Sequence, residues 1–217
     1  MKVLSLGILL FSVVNTTGVF AQKPPYGIAL DKTKTEFLDK TEISITDWRN
    51  YYWDMKYQYG DTSLEAKQAL PDMALFRQVY GFPFYTSLPF RDSIQSQMNC
   101  LPMTCVSYEQ ILNYCQWRTE KVNELWKIQK KSSMVTYSLP SKEDFEKGLS
   151  NAIISQYQFL SAITVKKTKC TGITDNVPEY TNDKNMIVVG GDVTKIETAP
   201  TVSTPVGFRC KAIIVKK

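Results

Sequence analysis

Leu101-Pro102-Met103-Thr104-Cys105-Val106-Ser107-Tyr108-Glu109-Gln110-Ile111-Leu112-Asn113-Tyr114-Cys115-Gln116-Trp117-Arg118 is the stretch on which the fold turns. Cys105-Val106 reads as a short buried strand from its neighbours. Ser107 is a helix N-cap with Gln110 three residues on, the capping-box position. Ile111, Cys115, Val122 and Leu125 then recur at helical spacing as an apolar stripe, with Trp117 and Trp126 alongside. Toward the N-terminus, Thr35 to Ile43 reads as a strand running into another helix. Ser44 caps that helix, Asp47 sits at the box position, and Ile45, Trp48, Tyr52, Met55 and Tyr59 follow until Gly60 stops it. Residues 61 to 100 show no sustained period, and Pro71, Gly81, Pro83 and Pro89 mark a long irregular connection. Toward the C-terminus, Pro140 sets up a third, shorter helix capped by Ser141 with Asp144, and Phe145 faces inward. Met186 to Val189 and Lys211 to Val215 are β-branched runs that read as strands. The class is α+β: short helices, small terminal strands and much loop.

The first 21 residues stand apart from this pattern. Lys2 supplies a positive n-region, Val3 to Val14 an apolar h-region, and Val19-Phe20-Ala21 a small-residue cleavage site. Residues 1–21 therefore read as a signal peptide, 22–35 as an extended leader with two prolines, and 36–217 as one domain. The apolar run falls short of the roughly 20 residues a membrane span needs, and no later stretch reaches that length. No Cys follows the cleavage site to carry a bacterial lipid anchor. The mature chain is expected to be soluble or peripheral to the outer membrane, on its periplasmic or extracellular side.

Composition excludes several chemistries. The chain has no histidine, so no Ser-His-Asp or Cys-His relay and no two-histidine zinc helix can be built. Cys100, Cys105, Cys115, Cys170 and Cys210 lack the paired spacings of a structural zinc site, and there is no phosphate-binding glycine loop. The net charge is +5, but acidic residues interrupt the basic ones, so no nucleic-acid stripe forms. Five cysteines in an exported chain point to disulfides with one thiol left over.

Six blocks, in order from about residue 36 to 210, resemble the formylglycine-generating, or sulfatase-modifying, enzyme family. They are Thr41-Glu42-Ile43-Ser44 with Trp48 and Tyr51; Leu101 to Arg118; Tyr137-Ser138-Leu139-Pro140-Ser141-Lys142-Glu143-Asp144-Phe145-Glu146; Asp175-Asn176-Val177-Pro178-Glu179-Tyr180; Val188-Val189-Gly190-Gly191-Asp192; and Val206-Gly207-Phe208-Arg209-Cys210. The resemblance implies a fold related to C-type lectins, with short helices on a small twisted antiparallel sheet. It also implies kinship with envelope lipoproteins of bacterial gliding and type IX secretion machinery.

Active members of that family carry two copper-binding cysteines between the G-G and G-F-R blocks. Here Asp192 to Val206 contains no Cys, so the thiolate nucleophile and soft ligand are missing. The expectation is a non-catalytic binding or structural module of the bacterial envelope with an envelope protein as partner. A carbohydrate-binding module and a divergent enzyme of the same family are the alternatives. The resemblance pairs Cys115 with Cys210, against the plainer reading of two buried free thiols. With Cys105 buried in its strand, Cys100 with Cys170 is the second expected bond. Asn176 and Glu179, with Asp175, match positions that help hold calcium in the family, so a structural calcium ion is one expectation. Pro178 replaces the intervening aromatic residue and favours the other, a solvated turn without an ion. Trp48 and Tyr52 read as core, whereas Trp53 and Tyr57 lie off the apolar stripe. Lys166, Lys167 and Lys169 make a small basic patch that solvent alone accounts for.

Overall fold

The computed structural model describes residues 27–85, 101–150, 177–189, 192–195 and 205–216. The expected signal peptide therefore lies outside the described residues, as do Cys100, Cys170, Asp175, Asn176 and the three lysines of the basic patch.

A four-stranded antiparallel sheet in the order β1-β2-β7-β3 forms the base of the fold. Its strands are β1 (Gly27–Ala29), β2 (Glu36–Asp39), β3 (Ser133–Ser138) and β7 (Lys211–Lys216). β1 lies inside the stretch read as a leader, and it pairs with β2 from Gly27 opposite Asp39 to Ala29 opposite Phe37. Only glycine fits at 27, because a Cβ there would stand 2.0 Å from the Leu38 carbonyl oxygen. A second antiparallel sheet joins β4 (Glu179–Tyr180), β5 (Met186–Val189) and β6 (Asp192–Lys195) in that order. A parallel bridge from Glu179 to Gly207 ties it to the segment leading into β7, where the Tyr180 amide donates to the Gly207 carbonyl at 3.0 Å.

The capping signals located three helices correctly. In α1 (Ile45–Tyr59) and α4 (Tyr108–Ile128) both halves of the capping box form, Ser44 with Asp47 and Ser107 with Gln110. At the head of α5 (Lys142–Ser150), Ser141 and Asp144 exchange the same reciprocal bonds at 2.9 and 3.3 Å. The connection read as irregular holds two further helices, α2 (Leu64–Gln68) and α3 (Met73–Tyr80), capped by Ser63 and Asp72. Five and eight residues are too few for a helical period to declare itself. Cys105 is buried as expected but is not in a strand: its φ is +64, a left-handed turn. Strand-like pairing lies just before it, where the Met103 amide donates to the Ile43 carbonyl and the Ile45 amide to Leu101.

The core lies between α1, α4 and the four-stranded sheet. Trp48 stacks on Tyr114 at 5.4 Å, and both meet the edge of Phe208. Such pairs add about 0.5–1.5 kcal/mol each beyond burial. The Trp48 indole N–H finds the Ala69 carbonyl at 2.9 Å, so α2's end is fixed by the core it covers. Along β3 the backbone groups facing away from β7 are met by α4. Asn123 accepts from the Val135 amide at 2.9 Å and donates to its carbonyl at 2.8 Å, and Thr119 accepts from the Tyr137 amide. Among the described residues no helix is long and apolar enough to cross a membrane.

Candidate functional site

Beneath the point where the two sheets meet, a buried ionic cluster forms around Arg209. The Gly207 bridge sets the chain before β7 beside β4, which carries Arg209 to Glu179. The guanidinium donates from Nε to one Glu179 oxygen at 2.7 Å and from Nη2 to the other at 2.6 Å. Arg209 is 0% exposed and Glu179 1%. Nη1 donates to the carbonyls of Asp39 and Lys40, and the Glu42 carboxylate lies 3.6 Å from Nη2. Burial pushes the Glu179 carboxyl up from its ordinary range, against the pull of Arg209. Next to this pair, Arg118 on α4 grips both oxygens of Asp39 at 2.5 and 3.1 Å, with its guanidinium 4.1 Å above the Tyr137 ring. Burial works against the Arg118 charge, but Asp39 holds its pKa well above the ordinary value.

In this cluster Glu179, one of the three residues of the calcium expectation, is engaged by Arg209. A hard cation needs several free oxygens, and both oxygens of Glu179 already accept from Arg209. The ligand expectation came from the resemblance, and the partner that Glu179 meets lies thirty positions away, reached through a sheet contact. Asp175 and Asn176 lie outside the described residues.

Cys115 and Cys210 do meet. α4 aims Cys115 into the core, and Cys210, held by its amide's bond to Asp39, faces it with the sulfurs 3.8 Å apart. The two residues of the expected pair are thus neighbours, with their sulfurs in contact at a separation longer than the roughly 2.05 Å of a closed disulfide. Burial and the neighbouring Cys115 push the Cys210 thiol well above its ordinary value. Cys105 lies at the inner wall of an open cleft of about 360 Å³ between α3, α4 and the β4–β5 turn, lined also by Leu75, Tyr108, Tyr180 and Lys184. Burial pushes the Cys105 thiol up to about 11, so it is protonated near neutral pH and a poor nucleophile.

The aromatic residues of α1 divide as the sequence indicated. Trp48, Tyr51 and Tyr52 are buried, whereas Trp53 is 52% and Tyr57 89% exposed. Tyr59, placed on the stripe, is exposed because the helix ends beyond the core. Tyr85, 46% exposed, joins this surface through ring contacts to Tyr52 and Phe84. No sequence signal singled out Tyr85.

The family model described as a sulfatase-modifying factor enzyme 1-like domain matches residues 19–192. No curated protein matches the chain. Residues 192–206, which follow the matched stretch, contain no cysteine, and the first four of them are strand β6. The three described thiols, Cys105, Cys115 and Cys210, are all buried.

Proposed function

The chain belongs to the sulfatase-modifying factor enzyme 1-like domain family, and from that premise we propose that it is a non-catalytic member acting as a binding or structural module. The observation that carries this reading is the absence of any Cys between Asp192 and Val206. Formylglycine generation needs a thiolate that is both nucleophile and soft-metal ligand, and the side chains of that interval supply none. The buried ionic cluster supports the same reading, since it ties Glu179 to Arg209 as structure. In this proposal the fold is C-type-lectin-related. The signal peptide at residues 1–21 directs export to the bacterial envelope, and an envelope protein of a gliding or secretion assembly is the partner.

The test offers a sulfatase-type cysteine peptide to the purified protein, with and without copper, and follows the product by mass spectrometry. No formylglycine is expected under either condition. Turnover above background would overturn the non-catalytic reading and favour a divergent enzyme.

A further inference from the structure

The pairing of β3 with β7 gathers one corner of the molecule from parts of the chain far apart in sequence. α4 ends at Ile128, and the turn after it closes with the Lys130 amide on the Lys127 carbonyl at 3.0 Å and the Lys131 amide on the Trp126 carbonyl at 2.9 Å. Lys130 takes a left-handed φ of +54 there, so Lys127, Lys130 and Lys131 leave the chain within a single turn, and all three are exposed. β3 then starts at Ser133, and antiparallel pairing sets Ser133 opposite Lys216 and Met134 opposite Val215. Ile128, Met134 and Val215 are 78%, 44% and 58% exposed. As direct cross-strand partners, Met134 and Val215 share one face of the sheet, with Cβ atoms about 4.5–5.5 Å apart. An open hollow of about 300 Å³ lies between α4 and β3, with Lys127 and Lys131 on its helical wall and Ser133 and Met134 on its strand wall.

The charge at this corner is of one sign. No Asp or Glu occurs between Glu124 and Glu143, or between Glu197 and Lys217. The acidic residues of the hollow, Glu120 and Glu124, are met by Gln116 at 3.0 Å and Lys121 at 3.6 Å. None of the three turn lysines has a carboxylate partner among the described residues, and Lys131 holds its ammonium 4.6 Å from the centroid of the buried Trp126 ring. We propose that this corner docks the protein on an anionic phospholipid surface, with the lysines at the headgroup phosphates and Ile128, Met134 and Val215 in the acyl boundary. Charge complementarity and the aliphatic trio together commit the face to that partner. A basic patch alone would serve any polyanion, but a nucleic acid strand is gripped by exposed aromatic rings, and the ring here, Trp126, is 4% exposed. Protein interface cores are depleted of lysine. A lipid surface uses both halves: lysine stems lie along apolar material while their ammonium groups stay at phosphate level, and aliphatic side chains enter the headgroup–acyl boundary. The proposal goes beyond the binding-module reading and does not rest on it.

The test sediments the chain from Gln22 onward, which holds every strand and helix described, with two kinds of vesicle. One is pure phosphatidylcholine and the other equal parts phosphatidylcholine and phosphatidylglycerol. Binding is expected to the second and not to the first, and added salt should release it by shortening the reach of the charges. Each lysine near an anionic surface contributes about fivefold to partition, so Lys127→Gln with Lys130→Gln and Lys131→Gln should weaken binding about a hundredfold. A charge-matched triple elsewhere, Lys32→Gln with Lys34→Gln and Lys67→Gln, should change it little. Ile128→Ser with Val215→Ser leaves the charge untouched and should weaken binding about tenfold. Urea midpoints check that each variant is folded, and Ile128→Ser alone, at a position 78% exposed, serves if the strand variant is not. Absence of binding to the anionic vesicles, equal losses in the two lysine triples, or full binding by the serine variants would overturn the proposal. Binding of duplex DNA or heparin through the same lysines, with the vesicles ignored, would also overturn it. Formylglycine turnover, by contrast, would remove the non-catalytic reading and leave this docking face standing.

Discussion

Replacing Arg209 by leucine removes the centre of the buried ionic cluster without leaving a large void. Glu179 then loses two charge-assisted hydrogen bonds, at 2.7 and 2.6 Å, and keeps its burial. Each such bond contributes about 1.5–3 kcal/mol, and breaking a buried pair from one side costs about 3–5 kcal/mol. Arg209→Leu is therefore expected to lower stability by about 3–5 kcal/mol at pH 7, a large part of the roughly 5–15 kcal/mol a domain has. Arg209→Leu with Glu179→Leu should cost less than Arg209→Leu alone, because the Glu179 charge is then no longer left buried, although buried Glu42 still loses its ion pair with Arg209. A residue of about 1–2 kcal/mol should remain, since the Asp39 and Lys40 carbonyls still lose their donor. The assay is urea unfolding of the parent, both single variants and the double variant. In Arg209→Leu the Glu179 carboxyl is raised above its unfolded value, so the folded state holds that proton more tightly. Its contribution is present below the unfolded pKa and lost as pH rises, so the deficit should narrow from pH 7 toward 4.5. A single variant within 1 kcal/mol of the parent, or strict additivity in the double, would refute the reasoning.

Two further outcomes are expected. Under oxidising conditions Cys115 and Cys210 should form a disulfide, recovered as one cross-linked peptide in non-reducing mapping; closing this loop of 95 residues stabilises by about 4–5 kcal/mol in the chain-entropy model. Recovery of both as free thiols after oxidation would show that the 3.8 Å contact does not close. The Cys105 thiol, raised from 9.0 to about 11, contributes stability that is complete below pH 9 and lost as pH rises through 11. Parent and Cys105→Ala unfolded in urea at pH 8 and 11 should differ in their pH dependence by up to about 2 kcal/mol, and parallel behaviour would count against a buried thiol.

What the sequence made legible depended on how locally each feature is determined. Ser44 with Asp47 and Ser107 with Gln110 marked their helices because a capping box closes within four residues. The short helices α2 and α3 had caps too, in Ser63, Asp72 and the left-handed Gly81, but only these isolated punctuation marks. The left-handed turn at Cys105 carried no signal, because the residue that adopts it is neither Gly nor Asn. Strand β3 escaped for another reason: its place is set by β7, almost eighty residues later. Glu179 was the reverse case. Its carboxylate was visible, but Arg209, which decides its role, becomes its neighbour only through a sheet contact.

The bonds that Asn123 and Thr119 make to Val135 and Tyr137 set a direction on the main sheet. A β-strand at a sheet's margin normally presents a ladder of unused amides and carbonyls that any extended peptide can continue. On the β3 side α4 has already taken those rungs, so a visiting strand would have to evict Asn123 before pairing. The β1 margin has no such helix among the described residues, and only three residues of strand to offer. The sheet is thus sealed against self-propagation at one end and foreshortened at the other, a geometry that keeps copies of the chain from zipping together when crowded.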